Sequence, residues 1–247
     1  MKNIYLHSKN NIIMAKKLKT DTGIEKVENV LGKTEEYIQN NKKSLTVIIS
    51  VIVLIILGYV SYKYLYIPSK SKSAAADSFK AEKYLSDAIK YDSINLYKNA
   101  LNGDGQSIGF IKIADDYSMT KLGNLANYSA GIAFLHTGDF KKAIEYFNKY
   151  EAEDELTASL AFGCTGDAYS ELKDYKNAII FYNKAIEFNN KFTAPLYLEK
   201  IGRVYYSQKN YKSSLDSFKK ILKKYNESSQ AVLAEKYIYK LENKISK

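Results

Sequence analysis

Three places in this sequence hold residues of the kind that could do chemistry. They are the glycine-rich stretch NGDGQSIG at 102–109, the single cysteine Cys164, and His136, the one histidine in the long C-terminal part. A glycine-rich loop can cradle a phosphate, but it needs a strand before it and a Lys-Ser/Thr pair after it to reach the phosphates and a metal. The pattern around 102–109 offers neither, and Asp104 alone cannot supply the several oxygens of a calcium loop. The stretch is therefore expected to be a turn between helices. His136 has no Asp, Glu or Cys at ligand spacing, and a lone cysteine excludes an intramolecular disulfide and a cysteine-based metal site. Cys164 is read as a small packing residue on a helix rather than a nucleophile. Without paired carboxylates, a nucleophile with a base, or a metal cluster, no catalytic residue, cofactor or metal is expected, and the protein is not expected to be an enzyme.

The charge balance excludes another class. The net charge is +10, yet Arg203 is the only arginine among 37 basic residues. Readers of nucleic acid usually rely on arginine for bidentate base and phosphate contacts, so nucleic-acid binding is not expected. The positive charge gathers at the two ends of the chain. Residues 195–247 carry 12 basic and 5 acidic side chains.

The elements that would position any site come from a periodicity of about 35 residues. Gly131, Gly166 and Gly202 head three copies of one pattern. Three residues on stand Phe134, Tyr169 and Tyr205; nine on, Phe140, Tyr175 and Tyr211; then Ala143, Ala178 and Ser214; then Phe147, Tyr182 and Phe218. A helical hairpin accounts for this. Glycine in the first helix and Ala or Ser in the second allow a close crossing, while the aromatics fill the wedges between helices. Gly138-Asp139, Lys173-Asp174 and Lys209-Asn210 are placed at the hairpin turns.

These residues resemble the tetratricopeptide repeat, and the period agrees. The matched copies are GIAFLHTGDFKKAIEYF, GDAYSELKDYKNAIIFY and GRVYYSQKNYKSSLDSF. The departures are Asn127, Phe162 and Leu198 where a large aromatic is usual, and Glu155, Asn190 and Asn226 where proline is usual. The resemblance implies an all-α helical solenoid whose first helices line a groove for an extended peptide or a partner helix. Carried over by position, the groove residues are Tyr128, Ile132 and His136; Asp167, Ser170 and Glu171; and Glu199, Arg203 and Tyr206. Tyr128 and Ile132 replace the Lys and Asn that some relatives use to clamp chaperone tails, so that ligand is not implied. Whether the groove is open or filled by the chain's own helices is left undecided.

Ahead of the repeats, residues 44–62 are nineteen positions without a charge, bracketed by Lys43 and Lys63. As a helix they span roughly 29 Å at about 1.5 Å per residue, near the hydrocarbon thickness of a bilayer. Tyr59, Tyr62, Tyr64 and Tyr66 cluster at the far end, as interfacial aromatics do. The domains expected are a tail (1–43) with a short amphipathic helix, a transmembrane helix (44–66), a linker and divergent helical pair (67–122), three repeats (123–228) and a capping helix (229–247). Thr22 and Glu25 have capping-box spacing, and Ile24, Val27, Val30, Leu31, Tyr37 and Ile38 share one face. That helix either lies on the membrane, docks a partner, or merely leads into the span. Either Met1 or Met14 could be the start. Ala74 and Ala76 have a small-x-small look, but they lie too far past the apolar run for signal cleavage. Lysines flank the span equally, so local charge does not fix orientation, although a short Lys-bearing tail favours an outward C-terminal domain. Within 67–122, Phe79, Tyr84, Leu85, Ile89, Ile94, Tyr97, Ala100 and Leu101 mark helical faces, and Phe110, Ile113, Ala114 and Tyr117 another. The lysines of the last helix and of 219–224 are read as a solvated face, with an anionic partner or lipid surface as the alternative.

The whole layout resembles the YfgM-like family, anchored ancillary subunits of the bacterial Sec translocon, in its Bacteroidetes-type versions. VENVLGKTEEYIQ before the span and NGDG…GNLANYSAG after it carry the resemblance. It implies a single-pass inner-membrane protein with a cytoplasmic N-terminus and periplasmic repeats that meet exported chains or their chaperones. A structural scaffold of an envelope or cell-division complex is the alternative. The oligomeric state is left open.

Overall fold

The computed structural model describes residues 27–246, and the chain divides into two compact units, Met1–Leu65 and Tyr66–Lys247. In the first, residues 27–40 are helical, with Val27, Val30, Leu31, Tyr37 and Ile38 all exposed. The expectations at Met14, Thr22, Ile24 and Glu25 lie outside the described residues. Helix α1 (Lys42–Ser61) buries no residue, and a π-helical turn follows at Tyr62–Tyr66. Its apolar side chains are exposed, and the Thr46 hydroxyl donates back to the Lys42 carbonyl at 2.8 Å. A hydrocarbon environment suits this, because helix satisfies every backbone group internally. Among the described residues, one helical run, Lys42–Tyr91, contains a stretch long and apolar enough to cross a membrane.

The second unit is built of α2 (Ile67–Tyr91), α3 (Ile94–Asn102), α4 (Phe110–Asp116), α5 (Lys121–Thr137), α6 (Phe140–Lys149), α7 (Glu155–Glu171), α8 (Tyr175–Glu187), α9 (Thr193–Ser207), α10 (Tyr211–Lys224) and α11 (Ser229–Ile245). Each pair α5–α6, α7–α8 and α9–α10 is an antiparallel hairpin, and each first helix also touches the next first helix. Two expectations fail at the start. Residues 67–77 are not a linker: Pro68 lies just after the π-helical turn Tyr62–Tyr66, a break in the regular hydrogen-bond ladder of the kind that goes with proline, and helix continues through the alanines. The buried face of α2 is only partly the one expected: Tyr84 and Leu85 pack against the core, but Phe79 and Ile89 do not. Ala74, Ser78, Ala81 and Ala88 face inward, whereas Phe79 is 71% and Ile89 58% exposed. Small residues win there because α2 packs closely on its neighbours. The loop 103–109 is a turn, as expected. Asp104 accepts from the Gln106 and Ser107 amides and the Ser107 hydroxyl, and ties back to α2 through Lys80 at 2.5 Å and the Tyr84 hydroxyl at 2.8 Å. The Lys80 contact, then Ser107 and Tyr84, holds its carboxyl well below the usual range.

The repeat positions do what their chemistry requires. A Cβ on Gly131, Gly166 or Gly202 would lie 2.6, 2.6 or 2.8 Å from the ring of Phe147, Tyr182 or Phe218. Each glycine is thus the seat of its hairpin's aromatic. Ala143, Ala178 and Ser214 are fully buried opposite, and the Ser214 hydroxyl is satisfied by donating to the Gly202 carbonyl at 2.8 Å. Every hairpin turn uses one device. A left-handed residue (Gly138, φ 82°; Lys173, φ 60°; Lys209, φ 61°) precedes an N-cap. The caps Asp139, Asp174 and Asn210 accept from the amides of Lys142, Asn177 and Ser213. Neighbouring hairpins are joined by a buried polar link in which Ser159 donates to the Ala185 carbonyl at 2.9 Å and bonds Thr193 at 2.8 Å. Because lysine pays the steric cost of φ > 0 at two turns, Lys173→Gly and Lys209→Gly should each stabilise the unit by about 0.5 kcal/mol, read as a rise in urea midpoint.

Candidate functional site

The first helices wall a cleft of about 930 Å³. Leu135 and His136 come from α5, Asp167, Ser170 and Glu171 from the end of α7, and Glu199, Lys200, Arg203 and Ser207 from α9. Spacings of three and four residues bring these side chains onto one face of each helix. The glycine–aromatic seats behind them fix where the helices lie. Tyr182 connects the two layers: its ring covers Gly166 and its hydroxyl donates to Asp167 at 2.8 Å.

The cleft's charges are mostly paired within it. Lys200 donates to both carboxylate oxygens of Asp167 at 2.6 Å, and Arg203 pairs with Glu199 at 2.8 Å. Glu171 is exposed and forms no ion pair among the described residues. His136 stacks on Tyr97 of α3 with ring centroids 4.6 Å apart and planes 7° from parallel. Phe140, Tyr175, Tyr182, Leu196 and Val204 also line the cleft, and burial followed by the Asp167 charge pushes the Tyr182 hydroxyl upward.

Six of the nine expected groove residues therefore line the cleft: His136, Asp167, Ser170, Glu171, Glu199 and Arg203. The other three lie elsewhere. Tyr128 turns inward against Phe147 and Tyr150 at 5.8 and 5.2 Å. Ile132 packs on the core of the first hairpins. Tyr206 is met edge-on by Tyr237 of α11 at 5.7 Å, because the capping helix packs on that side of α9. Lys200 was missed. Its signal was its place 33 residues after Asp167 and beside Glu199, on the first helix of the next repeat.

Cys164 sits behind this floor, not in it. Burial first, and the Asp167 charge second, push its thiol up to about 12. Since the thiolate is the reactive form, native Cys164 should be alkylated at pH 8 at least about a hundredfold more slowly than the urea-unfolded chain. Rate measurements with iodoacetamide check this. Among the described residues no group of three His, Cys, Asp or Glu side chains could hold a metal ion.

Three family models, each described as a tetratricopeptide repeat, match residues 113–156, 166–192 and 197–228. No curated protein matches the chain. Among solved structures, "Crystal structure of MamA" is similar, at 22% identity over 64% of this chain and 85% of that one, with a TM-score of 0.44. The second unit carries tetratricopeptide repeats and is a helical solenoid. Repeats of this kind generally mediate protein–protein interaction and are typically non-enzymatic.

Proposed function

We propose that this chain is a membrane-anchored scaffold whose repeat groove holds an extended segment of a protein partner. In this reading it works beside the protein-export translocon, with the tail cytoplasmic and the repeats on the periplasmic side of a bacterial inner membrane. The observation that carries the groove is the cleft itself. It runs across α5, α7 and α9 with charges already paired at Asp167–Lys200 and Glu199–Arg203, so a partner can bind without leaving a charge stranded at its floor. The anchor is supported by the apolar length of α1, none of which is buried. The translocon side is supported by the resemblance of the segments flanking the span.

Protease added to cells with an opened outer membrane tests the orientation. Digestion of the repeat unit beside an intact cytoplasmic control is expected, and full protection would sink the export reading. Gentle solubilisation then separates roles: translocon subunits and precursors should co-purify. Division or outer-membrane components in their place would replace the export role with a structural scaffold.

A further inference from the structure

One turn beyond the cleft, α9, α10 and α11 build a cationic aromatic patch. The Lys240 ammonium lies 4.9 Å from the Tyr206 ring, and that of Lys244 lies 5.4 Å from Tyr206 and 4.7 Å from Tyr211. Lys244 also donates to the Tyr211 hydroxyl at 3.3 Å. Arg203, which lines the cleft, reaches over Tyr237 at 6.0 Å. The nearby carboxylates are already engaged: Glu199 holds Arg203, and Glu242 of α11 holds Lys219 of α10 at 2.8 Å. Neither Lys240 nor Lys244 forms an ion pair with a carboxylate among the described residues. The adjoining ammonium groups depress the Tyr206 hydroxyl. At the opposite end of the cleft, Glu171 is a carboxylate without a cation. The binding face is thus negative at the end of α7 and positive where α9 meets α11.

We propose that the groove reads the charge of its occupant along its length, seating an acidic stretch of the partner's extended chain at Lys240 and Lys244 over the faces of Tyr206 and Tyr211. This rests on the groove reading above and adds the chemistry and direction of the ligand. Aspartate or glutamate side chains would supply the carboxylates that the lysines lack. Glu171 would oppose an acidic residue at the other end and favour a neutral or basic one. Complementary potentials of this kind set register and suppress the wrong partner more than they add raw affinity.

The test uses the full chain in zwitterionic micelles with Ser207→Cys carrying an environment-sensitive dye. Cys164 is only part-exposed and its thiol is pushed up to about 12, so labelling at neutral pH favours the introduced cysteine. Three twelve-residue peptides are compared, identical except for four Glu, four Gln or four Lys at one end. The Glu peptide should bind about tenfold more tightly than the Gln peptide, and the Lys peptide no better than Gln. The advantage should vanish in K240Q/K244Q and persist in K240R/K244R, both of which place exposed side chains on α11. Equal affinities for Glu and Gln peptides, with a dye response to both, would overturn the charge reading and leave the groove standing. An acidic preference that survives K240Q/K244Q would overturn the assignment to this patch. Displacement of the Glu peptide by anionic vesicles, but not by neutral ones, would point to a lipid surface and overturn it too. No response to any peptide at millimolar concentration would overturn both the inference and the groove.

Discussion

Gly163→Val is expected to lower the stability of the repeat unit by about 3 kcal/mol or more. Gly163 is not one of the repeat glycines. It lies one turn before Gly166 on α7, facing Tyr197 of α9, and even an added Cβ would fall 1.9 Å from the Tyr197 Cζ. The ring has nowhere to go. Tyr197 is only 2% exposed and stacks on Tyr182 with centroids 6.0 Å apart, and Tyr182 in turn covers Gly166. Relief therefore requires α7 and α9 to separate, which opens the floor of the cleft. Urea unfolding of the full chain in micelles, followed by the tyrosine near-ultraviolet signal, measures the loss. Adding Tyr197→Leu should recover part of it, because the smaller side chain clears the Cβ position. A double variant no better than the simple sum would show that this contact is not the cause.

Phe218→Ala is expected to cost about 3–5 kcal/mol, the usual range for emptying a buried aromatic site. Phe218 is fully buried, rests on Gly202, and stacks on Tyr237 of α11 at 4.5 Å and 11°. It sits in one cluster with Leu198, Ile221, Ala234 and Leu241, so its removal loosens the capping helix as well as the third hairpin. The lysines over Tyr206 would be displaced together with α11. Phe192→Ala is the control. Its ring is 85% exposed, and its loss should change stability by less than about 0.5 kcal/mol. Similar costs at the two positions would mean that the third hairpin is not packed as described.

Much of this architecture was legible because the repeat writes its geometry into residue types. A glycine every 35 or 36 residues with an aromatic sixteen positions later is a seat and its occupant, and the structure pairs them in all three copies. The turn dipeptides were legible for the same reason, since Asp139, Asp174 and Asn210 each can cap a helix. The start of the second unit was harder. Hydrophobic size suggested that Phe79 and Ile89 mark the inner face of α2, but close helix approach selected Ala74, Ala81 and Ala88. Composition also made 67–77 look like a linker, although a proline that follows a π-helical turn is compatible with continued helix. In the groove, six positions carried over because their helices keep the repeat geometry. Tyr206 did not, because α11 packs on its side of α9, and Tyr128 did not, because its ring fills the space beside Phe147. The Lys240 and Lys244 patch was invisible in one dimension. Two lysines one turn apart read as a solvated face until three helices bring the tyrosines beneath them.

The measurement that bears most directly on the groove is site-specific photocrosslinking in living cells. A photoreactive residue would replace Ser170 or Ser207 in the cleft, or Lys220 on the exposed side of the second helix α10. The groove reading predicts the same protein adduct from both cleft positions and none from Lys220. Adducts from Lys220 alone, or equally from all three, would contradict it.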